Sequence, residues 1–439
     1  MPDIQTLRQR LTTGQANALL DNLYGSRAGM RERQIARYLD LLDRFAAQFP
    51  EADLAAAQTE VEFFSAPGRT EVGGNHTDHN AGRVLAAAVN LDTLAVVARR
   101  ASGVIRLYSE GYPPSVVDLS QLEVVESEKY TSTALLRGVC ARYQQLGLAI
   151  GGFDAYVSSE VLKGSGLSSS ASFELLVASI LNHLYNHDQV DAIRSAQIGQ
   201  YAENQYFGKP CGLMDQTAIA VGGFCTIDFK DFANPVVRKV GADSAFDFAA
   251  TGYALVIVDT GGNHADLTGD YAAMANEMKA VARALGGSVL REFSKERLLA
   301  EAPALRSRVK DRAILRALHF YDDDQRVVEE VQALEANRFD RFLQLVIESG
   351  NSSWMLGQNC MLTRTPEEQG LTLGLAVSAN LLKGRGAWRV HGGGFAGTIQ
   401  AFAPDDLVEA YVAQMRALFG EQSCHLLMIR PLGATHLDL

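Results

Sequence analysis

Three short segments concentrate the residue types that can do chemistry. The run Ala66-Pro67-Gly68-Arg69-Thr70-Glu71-Val72-Gly73-Gly74-Asn75-His76-Thr77-Asp78-His79-Asn80 crowds polar donors and acceptors among glycines. Such a set suits recognition of several hydroxyl groups, which demands paired donors and acceptors more than apolar surface. A saturated polar loop has the same composition, and His76, Asp78 and His79 match no helical two-histidine metal spacing. The run Leu162-Lys163-Gly164-Ser165-Gly166-Leu167-Ser168-Ser169-Ser170-Ala171-Ser172 follows a strand-like stretch, bends on two glycines and enters a helix-like one. A turn of this kind leaves backbone N–H groups unpaired at the positive end of a helix dipole, where a polyphosphate can approach small side chains. Glycine and serine ahead of a helix also serve as plain caps. The run is not a Walker-type loop, because no Lys-Ser or Lys-Thr follows its second glycine. In Gly208-Lys209-Pro210-Cys211-Gly212-Leu213-Met214-Asp215-Gln216, preceded by Ala202-Glu203-Asn204, one carboxylate sits in a glycine-flanked turn. Asp215 is placed there either to take a proton or to serve as a buried structural ion.

The elements around these segments are mixed. Residues 1–58 read as helical, with Leu and Ala interleaved among charges, and form a preface without chemistry of its own. Strand-like runs follow at Val61 to Ser65, Arg83 to Asn90, Thr93 to Arg99, Val104 to Tyr108 and Phe153 to Ser159. Helices are predicted at Ser132 to Leu146, Ser168 to Tyr185 and Ala192 to Phe207. A second unit opens on the strand Tyr253 to Asp259 and ends in strands near Gly397 to Phe402 and Leu426 to Ile429. This order predicts an α+β or α/β layered fold.

Composition excludes several function classes. A net charge of −11 argues against nucleic acid as partner, since phosphate backbones are bound by clustered Lys and Arg. Five scattered cysteines, with no C-x-x-C pair, favour a reducing compartment over a disulfide scaffold. No stretch approaches a membrane span and the first residues lack the apolar core of a signal peptide, so a cytoplasmic protein is expected.

Taken together, the three segments resemble the galactokinase branch of the GHMP small-molecule kinase superfamily, and they occur in that family's order. The Gly-Arg-x-x-x-x-Gly-x-His-Thr-Asp pattern from Gly68 to Asp78 carries the galactokinase resemblance, while Gly-Leu-Ser-Ser-Ser-Ala-Ser from Gly166 marks the wider superfamily. The likeness covers Val61 to Phe229 closely and extends more loosely to the run His391-Gly392-Gly393-Gly394-Phe395-Ala396-Gly397. It implies a two-domain α+β fold with the active site in the cleft between a domain at 59–228 and another at 229–439, residues 1–58 packing on them as an extension. It further implies phosphorylation of the anomeric hydroxyl of galactose by ATP with Mg²⁺. Arg69 and Asp215 would flank the reacting oxygen. Gly164, Ser165, Gly166, Leu167, Ser168, Ser169 and Ser170 would hold phosphates, and Ser169 with Glu203 would ligate the metal. Asn75, His76, Asp78, Gly212 and Tyr271 would face the sugar. Sugar and ATP are the expected partners of a monomer or weak homo-oligomer. The sequence departs from the family at Asn75, where a glutamate is usual, and an amide there suggests altered selection at the sugar's far hydroxyl. A kinase for galacturonate or arabinose is therefore an alternative, as is a non-catalytic galactose sensor.

Overall fold

The structure, a computed structural model, describes residues 2–50, 60–161, 166–209, 211–241, 246–262 and 267–439, the side chain of Thr268 excepted. The expected boundary at 58/59 lies outside the described residues. Runs of β-branched and small apolar side chains become the strands β1 (Glu62–Gly73), β2 (Arg83–Arg99), β3 (Val104–Ser109), β4 (Ser115–Asp118), β5 (Phe153–Ser159) and β6 (Phe224–Asp228). Later in the chain come β7 (Val236–Lys239), β8 (Tyr253–Asp259), β9 (Ala387–Val390), β10 (Thr398–Pro404), β11 (Cys424–Leu427) and β12 (Thr435–Leu437). A large sheet has the order β12-β1-β2-β5-β3-β4, with β6 joining β2 and β7 joining β6; a smaller one has the order β11-β8-β10-β9. The fold is α+β.

The two strands expected at 83–90 and 93–99 are one. The first part of β2 pairs with β6, from Arg83↔Asp228 to Ala87↔Phe224, and the last part pairs with β5, from Thr93↔Ser159 to Arg99↔Phe153. Asn90 and Asp92 resemble turn residues in sequence, but both are buried where the partner strand changes. Asn90 Oδ1 accepts the Met428 N–H at 3.0 Å, so the polar side chain replaces a missing ladder partner.

Because side chains alternate across a strand, the large sheet has two apolar faces. Phe63, Leu94 and Val96 face the helices Ile4–Thr12, Asn17–Tyr24 and Met30–Gln48, burying Leu11, Leu23, Tyr38 and Phe45. Phe64, Ala95 and Val97 face the helices Ser132–Gln145, Ser169–Asn186 and Ala192–Ala202. A further core joins the two sheets. It packs Val72, Leu85 and Val89 of the large sheet against Leu255, Ile257 and Phe402 of the small one and against Val327 and Phe342 of the helices Asp311–Glu335 and Phe339–Ser352. The far end of β1 is thus held by both halves of the chain. The helix expected to run to Phe207 is α-helical only to Ala202 and widens into a π turn at Glu203–Phe207. Such turns recur at functional positions. No helix among the described residues is long and apolar enough to cross a membrane.

One buried ion cluster anchors the N-terminal helices. Asp92 accepts from Tyr24 Oη at 2.7 Å and from Arg37 Nη1 at 2.6 Å, and it is also bonded to Ser65. Arg430, wholly buried, donates to Ser65 Oγ at 2.7 Å and lies 3.4 Å from the same carboxylate. Burial alone would raise the Asp92 carboxyl; Arg37 and Arg430 outweigh it and hold the group below the usual carboxylate range. Removing the anion strands two cations in the interior. Asp92→Ala should therefore cost about 3–5 kcal/mol of stability, read as a lowered urea midpoint in equilibrium unfolding.

Candidate active site

Asp215 lies in the first turn of the helix Met214–Val221, and Arg69 projects from β1. Their side chains meet, Arg69 Nε donating to Asp215 Oδ1 at 2.8 Å, although the residues are 146 positions apart. The phosphate-loop segment completes this contact. Arg69 also donates to the Gly166 carbonyl, its own N–H reaches the Leu167 carbonyl at 3.1 Å, and Ser168 Oγ donates to Asp215 Oδ2. Ser168 caps the helix Ser169–Asn186 with φ +61°, a left-handed conformation that a serine adopts at a cost. Its hydroxyl makes no bond to the helix start and is directed instead at Asp215. Burial pushes the Asp215 carboxyl up, but the Arg69 charge and the bonds from Arg69 and Ser168 more than offset this and leave it below its ordinary value. The carboxylate is ionised at neutral pH and keeps 27% of its side-chain surface open. Gly164 and Ser165, like Lys163, lie outside the described residues.

A second cluster lies one helical turn away. Glu203, at the start of the π turn, accepts from Ser170 Oγ at 2.9 Å, from Lys209 Nζ at 3.3 Å and from Gln216 Nε2 at 2.9 Å. The hydroxyl that meets Glu203 is that of Ser170, where Ser169 was expected. Adjacent helical positions point about 100° apart, and the phase of this helix turns Ser170 toward Glu203. Glu174, fully buried on the same helix, shares Gln216 Nε2 at 3.0 Å. Burial, reinforced by the Glu203 carboxylate, pushes the Glu174 carboxyl well above the usual range.

The first segment also reaches across to the C-terminal half. His76 Nε2 donates to the Gly393 carbonyl at 2.9 Å, and burial lowers its pKa to about 4, so the ring is neutral with Nδ1 left as acceptor. Asp78 lies against Gly212, where a β-carbon would come within 2.9 Å of its Oδ2. Tyr271 packs on Gly393, where a β-carbon would stand 2.3 Å from the ring, and its hydroxyl donates to the Gly394 carbonyl at 3.3 Å. The structure thus brings Arg69, His76, Asp78, Gly212, Asp215 and Tyr271 into one region, with the glycine run as its far wall.

Asn75 departs from expectation. Its Nδ2 donates to Glu71 Oε1 and to the Gly392 carbonyl, both at 2.8 Å, and its Oδ1 accepts from Asn359 Nδ2 at 2.8 Å and Ser353 Oγ at 3.2 Å. An amide has two donor hydrogens and one two-lone-pair acceptor, so its capacity is filled inside the protein. Asn75 is a structural clasp in this arrangement and has no bond left for a sugar. Sequence reading missed Asn359, His391 and Glu174. His391 links Thr70 Oγ1 at 3.1 Å to Thr398 Oγ1 at 3.0 Å, tying β1 to the small sheet. The one available signal is Glu174, a carboxylate inside the otherwise apolar helical run Phe173 to Ala178.

The chain is similar to known proteins in its matched domains and in its overall fold. Residues 134–223 match the GHMP kinases N terminal domain, and residues 47–99 match the galactokinase galactose-binding signature. Among solved structures, the chain is similar to Lactococcus lactis galactokinase complexed with galactose, at 26% identity and a TM-score of 0.73, over 91% of this chain and 100% of that one. Methanococcus jannaschii mevalonate kinase shares the fold at 14% identity and a TM-score of 0.58, with 85% and 98% covered. Streptococcus pneumoniae phosphomevalonate kinase does so at 14% and 0.56, with 84% and 100% covered. The helix that follows Ser168 and the carboxylates Glu174, Glu203 and Asp215 on or beside it all lie within the stretch matched by the GHMP kinases N terminal domain. The galactose-binding signature spans β1 and β2, and the likeness to a galactokinase runs over nearly the whole chain.

The clasp yields a stability prediction. Asn75→Asp removes the donor shared by Glu71 and Gly392 and sets a second carboxylate against Glu71, whose own pKa burial already raises. A buried carboxyl with a raised folded pKa destabilises more as pH rises and its charge is forced on. Thermal unfolding should show a loss on the order of 3 kcal/mol at pH 8 and a smaller loss at pH 5. The ratio of kcat/KM for galactose over galacturonate should stay as in the parent.

Proposed function

We propose that this protein transfers the γ-phosphoryl group of ATP to the anomeric hydroxyl of galactose, giving galactose 1-phosphate and ADP. The observation that carries the reading is the Arg69–Asp215 pair held against the Ser168 cap, in a chain bearing the galactose-binding signature. In the reaction the anomeric oxygen forms a bond to the γ-phosphorus, the bond from that phosphorus to the bridging β-oxygen breaks, and the hydroxyl proton is lost. Ionised Asp215 is suited to receive that proton or to orient the hydroxyl. A loose phosphoryl-transfer transition state depends mostly on positioning and charge stabilisation. Arg69 offers its guanidinium for the charge on the transferring group while keeping Asp215 anionic. Gly166, Ser168 and Ser169 offer small side chains and the free N–H groups of a helix start to the phosphates. His76, Asp78, Gly212 and Tyr271 are assigned to the sugar, the neutral His76 ring accepting at Nδ1 and Asp78 accepting hydroxyl hydrogens.

Ser170 and Glu203 would hold Mg²⁺. They fit a hard cation: both donors are oxygens, and Glu203 already gathers positive or donor partners from Ser170, Lys209 and Gln216. Bound there with ATP, the ion would neutralise phosphate charge. The uronic-acid and pentose readings rested on Asn75, whose amide is spent on Glu71, Gly392, Ser353 and Asn359. A coupled assay of ADP release on galactose, galacturonate and arabinose tests the assignment. Galactose should give the highest kcat/KM; turnover of either other sugar with galactose inert would overturn it.

Two variants probe the roles. Asp215→Asn and Arg69→Ala should each lower kcat by roughly 10²–10³-fold with a smaller change in sugar affinity. In Arg69→Ala, burial acts on Asp215 with its main opposing charge removed. Its pKa rises, so the acid limb of the kcat/KM profile should move to higher pH. Glu203→Gln takes one anionic ligand from the cation and should shift the Mg²⁺ activation curve to higher concentration at constant ATP.

A further inference from the structure

At the end of β1 remote from Arg69, three side chains from distant parts of the sequence converge. Glu62 begins β1, His183 lies in the last turn of the helix Ser169–Asn186, and His436 is on β12, opposite Phe64. Glu62 Oε1 stands 3.4 Å from His183 Nε2 and 3.6 Å from His436 Nε2. One ligand atom from each of the three lies within 4.8 Å of the other two. A tetrahedral zinc-type ion with ligands at about 2.0–2.2 Å places ligand atoms roughly 3.3–3.6 Å apart, the separation found here between Glu62 and each histidine.

We propose that Glu62, His183 and His436 form a binding site for a divalent transition-metal ion of the zinc type, distinct from the kinase centre. Three further observations bear on it. His183 Nδ1 lies 2.8 Å from Asp188 Oδ2, an arrangement in which Nδ1–H donates and the Nε2 lone pair is turned toward Glu62. Carboxylates orient metal-binding histidines in this way from the outer shell. A lone pair aimed at a carboxylate oxygen is repulsive unless a cation or a proton lies between them. The two imidazole rings stack, with centroids 3.9 Å apart and planes 9° apart, a packing that disfavours a positive charge on each. Finally, Glu62 Oε2 is buried and has no hydrogen-bond partner among the described residues.

The site is reachable, since the His183 and His436 side chains are 24% and 22% exposed while Glu62 is 7% exposed. Two imidazoles and one carboxylate favour zinc, cobalt or nickel over Mg²⁺, which takes oxygen ligands and retains its waters. Residues 62 and 69 are separated by roughly 23 Å along an extended strand, so the ion takes no part in phosphoryl transfer. It ties β12 to β1 and to the helix whose start carries Ser168 and Ser170.

Isothermal titration of the metal-free full chain with Zn²⁺, without nucleotide, tests the proposal. The parent, His183→Asn, Glu62→Gln and Glu203→Gln are compared, each checked by circular dichroism for an intact fold, with kinase activity as a further check on His183→Asn and Glu62→Gln. The expected result is one equivalent of Zn²⁺ in the parent and in Glu203→Gln, undisturbed by millimolar Mg²⁺. Binding should weaken by at least about 100-fold in His183→Asn and Glu62→Gln, beyond the 10–100-fold typical of losing an outer-shell partner. As a second reading, Co²⁺ should give the visible absorption of a tetrahedral site in the parent alone of the first three proteins. No saturable binding up to millimolar zinc would leave an imidazolium–carboxylate cluster and overturn the proposal. So would binding retained in both His183→Asn and Glu62→Gln, or lost only in Glu203→Gln.

Discussion

The Arg69–Asp215 ion pair is the contact on which the site depends, because it joins the first and third chemical segments and the second closes on both of its members, at Gly166 and Ser168. Arg69 sits on a strand buried along its whole length, so its guanidinium has no water to retreat to and must find its anion and a carbonyl within the protein. Asp215 satisfies it only if the helix Met214–Val221 starts at the right height, and Ser168 satisfies Asp215 only in its left-handed conformation. A buried charge pair of this kind adds little net stability once desolvation is counted, yet breaking it is costly. Its value is positional.

The same economy explains the clasp around Asn75. That loop crosses from the large sheet toward the small one, and its backbone is fixed from the C-terminal half: Asp323 Oδ2 accepts the Asn75 N–H at 2.7 Å and His319 Nε2 donates to the Asn75 carbonyl at 2.9 Å. His76 then faces Gly393 with little freedom left. The side chains proposed to face the sugar are positioned by groups outside that proposed set, which is how a polar site keeps its geometry.

Much of this was legible from residue types. The segments stand out in the sequence as polar residues crowded among glycines, while the particular roles of Arg69, Asp215 and Glu203 are implied there only by the resemblance to galactokinases. Direction was not legible. Asn75 looked like a sugar ligand because sequence shows an amide and not the Glu71, Ser353 and Asn359 that use it up. Ser169 was preferred to Ser170 because helical phase is invisible in a run of three serines. The interruption expected inside β2 falls at Asn90 to Asp92, and the partners of these side chains, Met428, Arg37 and Arg430, lie far away in sequence. For the same reason Glu62, His183 and His436 carried no motif at all.

The Asp92 cluster bears on the order in which the chain can assemble. Its members come from the first helices, from β1 and β2, and from residue 430, while β12 pairs with the first residues of β1. On the ribosome the N-terminal helices and central strands emerge long before Arg430 exists. Until it does, Asp92 lacks one of its two cations and β1 has an open edge. The half of the molecule made first is therefore finished last, and through most of its synthesis it presents an open strand edge that a chaperone, or another nascent chain, can meet.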